Sequence, residues 1–204
     1  MSKWSDKVDK EIILQTIDSL KKNNFNAIFV ETLEQAKDKF FEILPQGASV
    51  LTNASVTLDT IGISQEINES GRYDSIKNKL SLMDRAASHL QMQQLGSAPT
   101  WAVGSVHAVT KDGHVIIASR SGSQIPGYAY GADHIIWVVG AQKLVENIDE
   151  GIKRIYKHTL PLESVRVQKA YGMEHSDVSK MLIFNKEITP QRTNIIIVNQ
   201  AIGY

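Results

Sequence analysis

The sequence predicts an α/β protein: an open, largely parallel sheet flanked by helices, with a β-hairpin insertion. Three observations lead there. The first part of the chain alternates helix, strand, helix, strand, helix, the rhythm of parallel crossovers. The run from His134 to Val139 is continuously apolar, as in a strand covered on both faces. Two further apolar runs flank Asp112-Gly113, the strongest short-range hairpin signal. With 204 residues, 42% hydrophobic and 22% charged, the expectation is one domain over 1–204, with 1–24 as an N-terminal helix packing on it.

Residues 6–23 place Val8, Ile12, Ile13, Ile17 and Leu20 three or four apart, a helical stripe that Asn24 stops. Ala27 to Val30 reads as a strand. Thr32 and Gln35 form a capping box for a helix that buries Ala36, Phe40 and Leu44 and ends at Pro45. Ala48 to Leu51 is the next strand, and Asn53-Ala54-Ser55-Val56-Thr57 turns into a short helix. The stretch 62–81 is polar and without clear period. A helix over 82–95 is expected to bury Met83, Ala86, Ala87 and Leu90, with Gly96 closing it. Residues 101–110 and 114–119 form the hairpin, and a single helical turn falls near 127–131. Asn147 and Glu150 cap a helix running to about His158, with Ile148, Ile152 and Ile155 inward. Strands from Met181 to Phe184 and from Asn194 to Asn199 complete the pattern.

Composition excludes several classes of function. Lys plus Arg number 22 and Asp plus Glu number 22, so no basic excess exists for phosphate backbones and no nucleic-acid partner is expected. Cysteine is absent, which removes thiol nucleophiles, disulfides and clusters ligated by this chain's own thiolates. The polar start carries no secretory pattern, and the apolar stretch Ile135 to Ala141 is far short of the roughly 20 residues that span a bilayer. A cytoplasmic protein without membrane insertion is expected. Phosphate-loop, dinucleotide and nucleophile-elbow motifs are missing. The six histidines, at 89, 107, 114, 134, 158 and 175, lack metal-ligand spacing, so no metal is assigned and no cofactor is named.

Seven of the 13 glycines lie between Gly96 and Gly140, where backbone must turn sharply or approach a ligand closely. If Asp112-Gly113 is a two-residue turn, Lys111 pairs with His114, Val109 with Ile116, His107 with Ala118 and Ser105 with Arg120. Side chains alternate along a strand, so Ser105, His107 and Arg120 then share one face beside Ser121-Gly122-Ser123-Gln124. A three-residue turn would change that register. Ser105 and His107 are the candidates for acid–base chemistry; Arg120, Ser123 and Gln124 are the candidates for holding a carboxylate or phosphate. Asn53, Ser55 and Thr57 lie between a strand and a helix start, where anions bind in open α/β sheets. Lys143 follows the buried strand and joins them. Each has a bland counterpart: a hydrogen-bonded structural His, plain N-caps, a solvated surface Lys. A hairpin at a sheet margin exposes unpaired backbone, and Trp101, Tyr128 and Tyr130 stand near it, so self-association into a homo-oligomer is expected.

The segments Val103-Gly104-Ser105-Val106-His107-Ala108-Val109-Thr110, Gly122-Ser123-Gln124 and Tyr128-Ala129-Tyr130-Gly131-Ala132 resemble the LUD-domain family. So do Val138-Val139-Gly140-Ala141-Gln142-Lys143 and Leu160-Pro161-Leu162-Glu163-Ser164. That family is named for lactate utilization and includes lactate utilization protein C. The resemblance implies a fold similar to the sugar-isomerase and CoA-transferase-like superfamily. It also implies a subunit that binds a small anionic metabolite and acts with iron–sulfur partner subunits in oxidising L-lactate or a related hydroxy acid. Here Gly104-Ser105-Val106 stands where the C-type subunit carries a Thr-Gly-Thr-like segment. The alternatives are a stand-alone small-molecule-binding or regulatory module and an isomerase or CoA-transferase-like enzyme. The resemblance carries over no catalytic residues, so the candidate site rests on the geometry above.

Overall fold

Two β-sheets stacked face to face organise the chain, whose computed structural model describes residues 3–204. Residues 1–2 of the expected N-terminal segment 1–24 lie outside the described residues. In chain order the strands are β1 (Asn26–Val30), β2 (Ser49–Thr52), β3 (Asp74–Ser75), β4 (Trp101–Gly104), β5 (Ala108–Thr110), β6 (Val115–Ser119), β7 (His134–Gly140), β8 (Leu144–Val145), β9 (Lys180–Phe184) and β10 (Thr193–Val198). The helices are α1 (Lys10–Lys22), α2 (Leu33–Ile43), α3 (Val56–Thr60), α4 (Ile63–Glu69), α5 (Ile76–Ser81), α6 (His89–Ser97), α7 (Ile148–Arg154) and α8 (Leu160–Tyr171). Six strands form a parallel sheet in the order β1-β10-β7-β4-β2-β3; the other four form a mixed sheet, β8-β5-β6-β9. The α/β class and the parallel sheet flanked by helices are as the sequence predicts.

The continuous apolar strands divide their residues between two cores. Ile136, Val138, Ile196 and Val198 face Ala36 and Phe40 of α2, Leu58 of α3 and Ile63 and Ile67 of α4. Ile135, Trp137, Val139, Ile195 and Ile197 face the other way, onto α1 and the inner side of the second sheet. That alternation explains why β7 and β10 show no polar face in sequence. The second sheet buries Ala108, Ile116 and Val145 on its far side together with Ile155. At about 1.5–3 kcal/mol per fully buried large apolar side chain, these cores supply the main stabilisation.

Local chemistry sets the helix starts. Thr32 Oγ1 accepts from the Gln35 N–H at 3.2 Å and Gln35 Oε1 accepts from the Thr32 N–H at 3.3 Å, the expected capping box. α1 buries Ile13, Ile17 and Leu20, and Asn23 just beyond it donates to the carbonyls of Asp112 and Gly113, both at 3.0 Å. Asn147 accepts from the Glu150 N–H at 3.0 Å.

Several expectations are corrected. No helix spans 82–95: α6 begins at His89, contains Gly96 and buries none of its residues, with Leu90 65% exposed. The Asp84 carboxylate instead accepts from the N–H groups of Ala86 and Ala87, so Met83, Ala86 and Ala87 sit in a turn rather than on a buried helical face. The polar stretch 62–81 holds α4, β3 and α5. Residues 101–110 are not one hairpin strand: β4 belongs to the parallel sheet and β5 to the second. The helix begun at Asn147 passes His158 through a π turn, Ile155–Thr159, and continues as α8.

The hairpin turn has three residues, Lys111-Asp112-Gly113. The Thr110 N–H bonds the His114 carbonyl at 2.9 Å, and Gly113 takes the left-handed conformation at φ +85° that a side chain would strain. Ala108 therefore faces Ile116, and Val109 faces Val115, one step from the expected register. The hairpin is also not a free margin, since β8 flanks β5 and β9 flanks β6. Trp101 and Tyr128 are core residues, stacked on His134 at 4.4 Å and set edge-on to Trp137 at 5.3 Å; of the three aromatics taken as interface candidates, only Tyr130 is exposed. Among the described residues, no helix is long and apolar enough to cross a membrane.

Candidate functional site

Parallel strands share one direction, so the loops after β2, β4 and β7 emerge at the same end of the sheet. One holds Asn53 and leads into α3. Another, Ser105 to His107, carries the chain from one sheet to the other. The third is a single tight turn, Ala141–Lys143. The second sheet and the α7–α8 helix close the opposite side, leaving a cleft of about 270 Å³. Its walls include Ser105 and His107, the loop residues Asn53, Ser55 and Thr57, and Lys143. Arg120, Ser123 and Gln124 line it from the β6 side.

The expected residues therefore meet, but not through the expected pairing. Ser105 lies in the crossover between sheets and does not face Arg120 in a ladder. At His107 two residues of one strand oppose one of the other: its N–H bonds the Ile116 carbonyl at 3.0 Å, while Ala108 is the register partner of Ile116. Such a bulge re-aims a side chain. It turns the His107 ring so that Nδ1 accepts from the Ala118 N–H at 3.1 Å, which leaves the proton on Nε2. Burial, with Lys143 and Arg154 adding to it, pushes His107 down to about 3, so the imidazole is neutral at physiological pH.

Lys143 is the central feature. It is 2% exposed, so the solvated-lysine reading does not apply. Its Nζ lies 3.1 Å from Thr57 Oγ1 and 3.0 Å from Ser105 Oγ. Those hydroxyls donate their own protons elsewhere, Ser105 to the Val138 carbonyl at 2.7 Å and Thr57 to the Ile202 carbonyl at 3.4 Å, so both turn lone pairs to the amine. Gly203, left-handed at φ +63°, lets the chain pass against Thr57 where a Cβ would collide. Burial, and then the nearby Arg154 guanidinium, push Lys143 down to about 7. Arg154 is itself fully buried; its Nη1 donates to the His107 carbonyl at 2.6 Å and to Thr159 in the π turn at 3.0 Å. Its Nε and Nη2 have no hydrogen-bond partner among the described residues. Burial lowers Arg154 to about 10.

The other predicted residues divide into cleft-facing and scaffold positions. Ser55 caps α3 by accepting from the Leu58 N–H at 3.3 Å. Gln124 holds its own loop, accepting from Ser119 at 2.9 Å and donating to the Ala118 carbonyl at 3.3 Å, and Ser123 shares a 3.1 Å bond with Ser121. The Asn53 side chain is turned to the buried Tyr128 hydroxyl. Arg120 keeps two loose contacts, with Asp177 and with the Met173 sulfur, both at 3.5 Å.

Sequence reasoning missed the rim formed by Glu163, Arg166 and Tyr204. Arg166 grips Glu163 through two 2.7 Å bonds and Tyr204 donates to the same carboxylate at 2.7 Å. Burial alone would raise Glu163, but these bonds outweigh it and hold the carboxyl below its ordinary range. The only local signal was the three-residue spacing of an acid and a base on one helix. Among the described residues, no group of three or more acidic or imidazole side chains is placed to hold a metal ion.

No curated protein matches the chain. A DUF162 family protein from Deinococcus radiodurans has a similar fold, with a TM-score of 0.57 at 13% identity over 97% of this chain and 99% of that one. The LUD-domain family model matches residues 13–198, which takes in both sheets and every lining residue of the cleft except Tyr204. The chain belongs to the LUD-domain family.

Proposed function

We propose that the cleft binds a small carboxylate-bearing metabolite, a hydroxy acid such as L-lactate or a close relative, and that the protein contributes to its utilization in the cytoplasm beside iron–sulfur partner subunits. The observation that carries this reading is the buried Lys143 amine, held by two hydroxyls, near an Arg154 that bonds a carbonyl and a hydroxyl and, among the described residues, no carboxylate. An uncompensated buried cation favours an anion in the space beside it. Arg120 offers the planar fork that suits a carboxylate and is only loosely engaged. The family's association with lactate utilization supports the substrate class, and a Cys-free chain leaves any cluster to a partner. Calorimetric titration of L-lactate into the protein tests it: saturable binding is expected, and binding unaffected by Lys143→Met refutes it.

A second reading, an isomerase or CoA-transferase-like enzyme, draws on Glu163 in the cleft wall. The bidentate Arg166 clamp on that carboxylate argues against it as a free acid or nucleophile. A stand-alone binding module is distinguished from a subunit by whether co-purified iron–sulfur proteins are needed for turnover. Self-association belongs to the same proposal, now resting on Tyr130 and Leu82, 91% and 88% exposed. A light-scattering mass equal to one chain at high concentration refutes that part.

A further inference from the structure

We infer that Lys143 is a covalent site for small oxo acids, its amine condensing with their carbonyl carbon to form an imine while Arg120 takes the carboxylate. The inference rests on the reading of the cleft as an anion site and adds the substrate's reactive group. It comes from counting donors. A neutral amine has two N–H bonds and one lone pair. Thr57 Oγ1 and Ser105 Oγ, their protons committed to the Ile202 and Val138 carbonyls, present two acceptors, so they take both N–H bonds. The lone pair is left over, on a side chain that lines the cleft. A site built to hold an ammonium would set a carboxylate against it; here neither oxygen bonded to Nζ carries charge. Burial and the Arg154 cation lower the amine's proton affinity, which keeps this form populated near neutrality.

The chemistry balances without an oxidant. The Nζ lone pair forms a bond to the carbonyl carbon as the C=O π pair moves to oxygen. A proton passes from nitrogen to that oxygen, giving a carbinolamine. The nitrogen lone pair then forms C=N as the C–O bond breaks, and the oxygen leaves as water after taking one proton from solvent. A protonated imine remains. The substrate class follows from the walls: an amine nucleophile needs a carbonyl, an arginine fork needs a carboxylate, and about 270 Å³ limits the size.

Pyruvate with sodium cyanoborohydride tests the inference, because reduction makes the adduct permanent and peptide mass spectrometry locates it. The expected result is an adduct confined to Lys143, absent when L-lactate replaces pyruvate. Lys143→Met keeps the aliphatic stem and removes a buried polar group, so it is expected to melt no lower than the parent; with the melting temperature held, complete loss of adduct is not a folding effect. Adduct spread equally over surface lysines, or unchanged in Lys143→Met, overturns the inference. If calorimetry shows pyruvate binding that L-lactate competes away, yet no adduct forms, the imine fails and the anion site stands. Neither heat nor adduct with either acid overturns both.

Discussion

The two ends of the parallel sheet treat buried cations in opposite ways. At the end where β7 and β10 begin, every nitrogen of Arg192 is engaged: Glu187 lies 3.0 Å from Nη1, and the carbonyls of Ala132, Tyr128 and Gly127 take the Nε and Nη2 donors at 2.8, 3.0 and 3.2 Å. Glu187 is matched in turn by Thr193 at 2.8 Å and the Thr189 N–H at 3.1 Å. At the opposite end Lys143 has two neutral hydroxyls, and Arg154 has two nitrogens with no hydrogen-bond partner among the described residues. Both sites are deeply buried, so exposure does not separate them. Compensation does. A closed network of charge and carbonyls is a device for holding loops together; an open one stores interaction for something that arrives later.

The largest effect should come from opening the closed end. Glu187→Ala leaves Arg192 buried without its counter-charge, which costs about 3–5 kcal/mol of folding stability. Urea unfolding should show it, while the folded fraction binds L-lactate as before. Lys143→Met should do the reverse. Its unfolding free energy holds or rises, because a desolvated cation has been replaced by an apolar side chain of similar length. Its affinity for L-lactate falls roughly ten- to a hundredfold, the range of a lost charge-assisted contact. If Lys143→Met unfolds as readily as Glu187→Ala, the two ends are alike and the contrast is wrong.

The same contrast governs what could be read from sequence. The closed regular parts were legible because each element carries its own signal: the Thr32–Gln35 box, the apolar run of β7, the Asn147 cap. The cleft was half legible. Its residues were found, but the register that brought Ser105, His107 and Arg120 together was one step off, since Asp112-Gly113 fits a two-residue turn as well as the three-residue turn that forms. Nothing local marks Ser105 as the point where the chain changes sheets, or shows that Lys143 is buried; both follow from β4 and β7 lying side by side, a contact between residues far apart in sequence. Glu163, Arg166 and Tyr204 were missed for the same reason.

Protonation sharpens the comparison at an intermediate size, about 1.4 kcal/mol per unit of pKa displacement. Around Lys143 stand Arg154 on α7, His107 on the crossover and His158 in the π turn, while Glu163 on α8 acts on His107. A simple anion binds the ammonium form, so L-lactate affinity should be highest below pH 7 and fall as pH rises through about 7. Imine trapping should move the other way. For stability, the unfolded chain keeps the Lys143 proton up to its ordinary 10.5 while the folded chain releases it near 7, so this group makes stability rise with pH between those values. His107, at about 3 folded against 6.5 unfolded, makes stability fall as pH drops from 6.5 toward 3. A His107→Gln variant should lose that acid sensitivity in urea titrations; the same slope in the variant would assign it elsewhere.

The rim supplies the smallest effects. Arg120→Lys keeps the charge and loses the fork, so L-lactate affinity should drop several-fold with the fold intact; the drop stays below that of Lys143→Met because Arg120 is half exposed and screened. Tyr204→Phe should matter least. It removes one donor from Glu163, yet the two Arg166 bonds to that carboxylate remain, so the acid stays ionised and in place. A stability change of about 1 kcal/mol and no measurable change in affinity are expected. A tenfold loss of affinity from Tyr204→Phe would mean that the ligand touches the compensated rim as well as the uncompensated floor, and the division between a structural Glu163–Arg166 pair and a functional Lys143 would have to be redrawn.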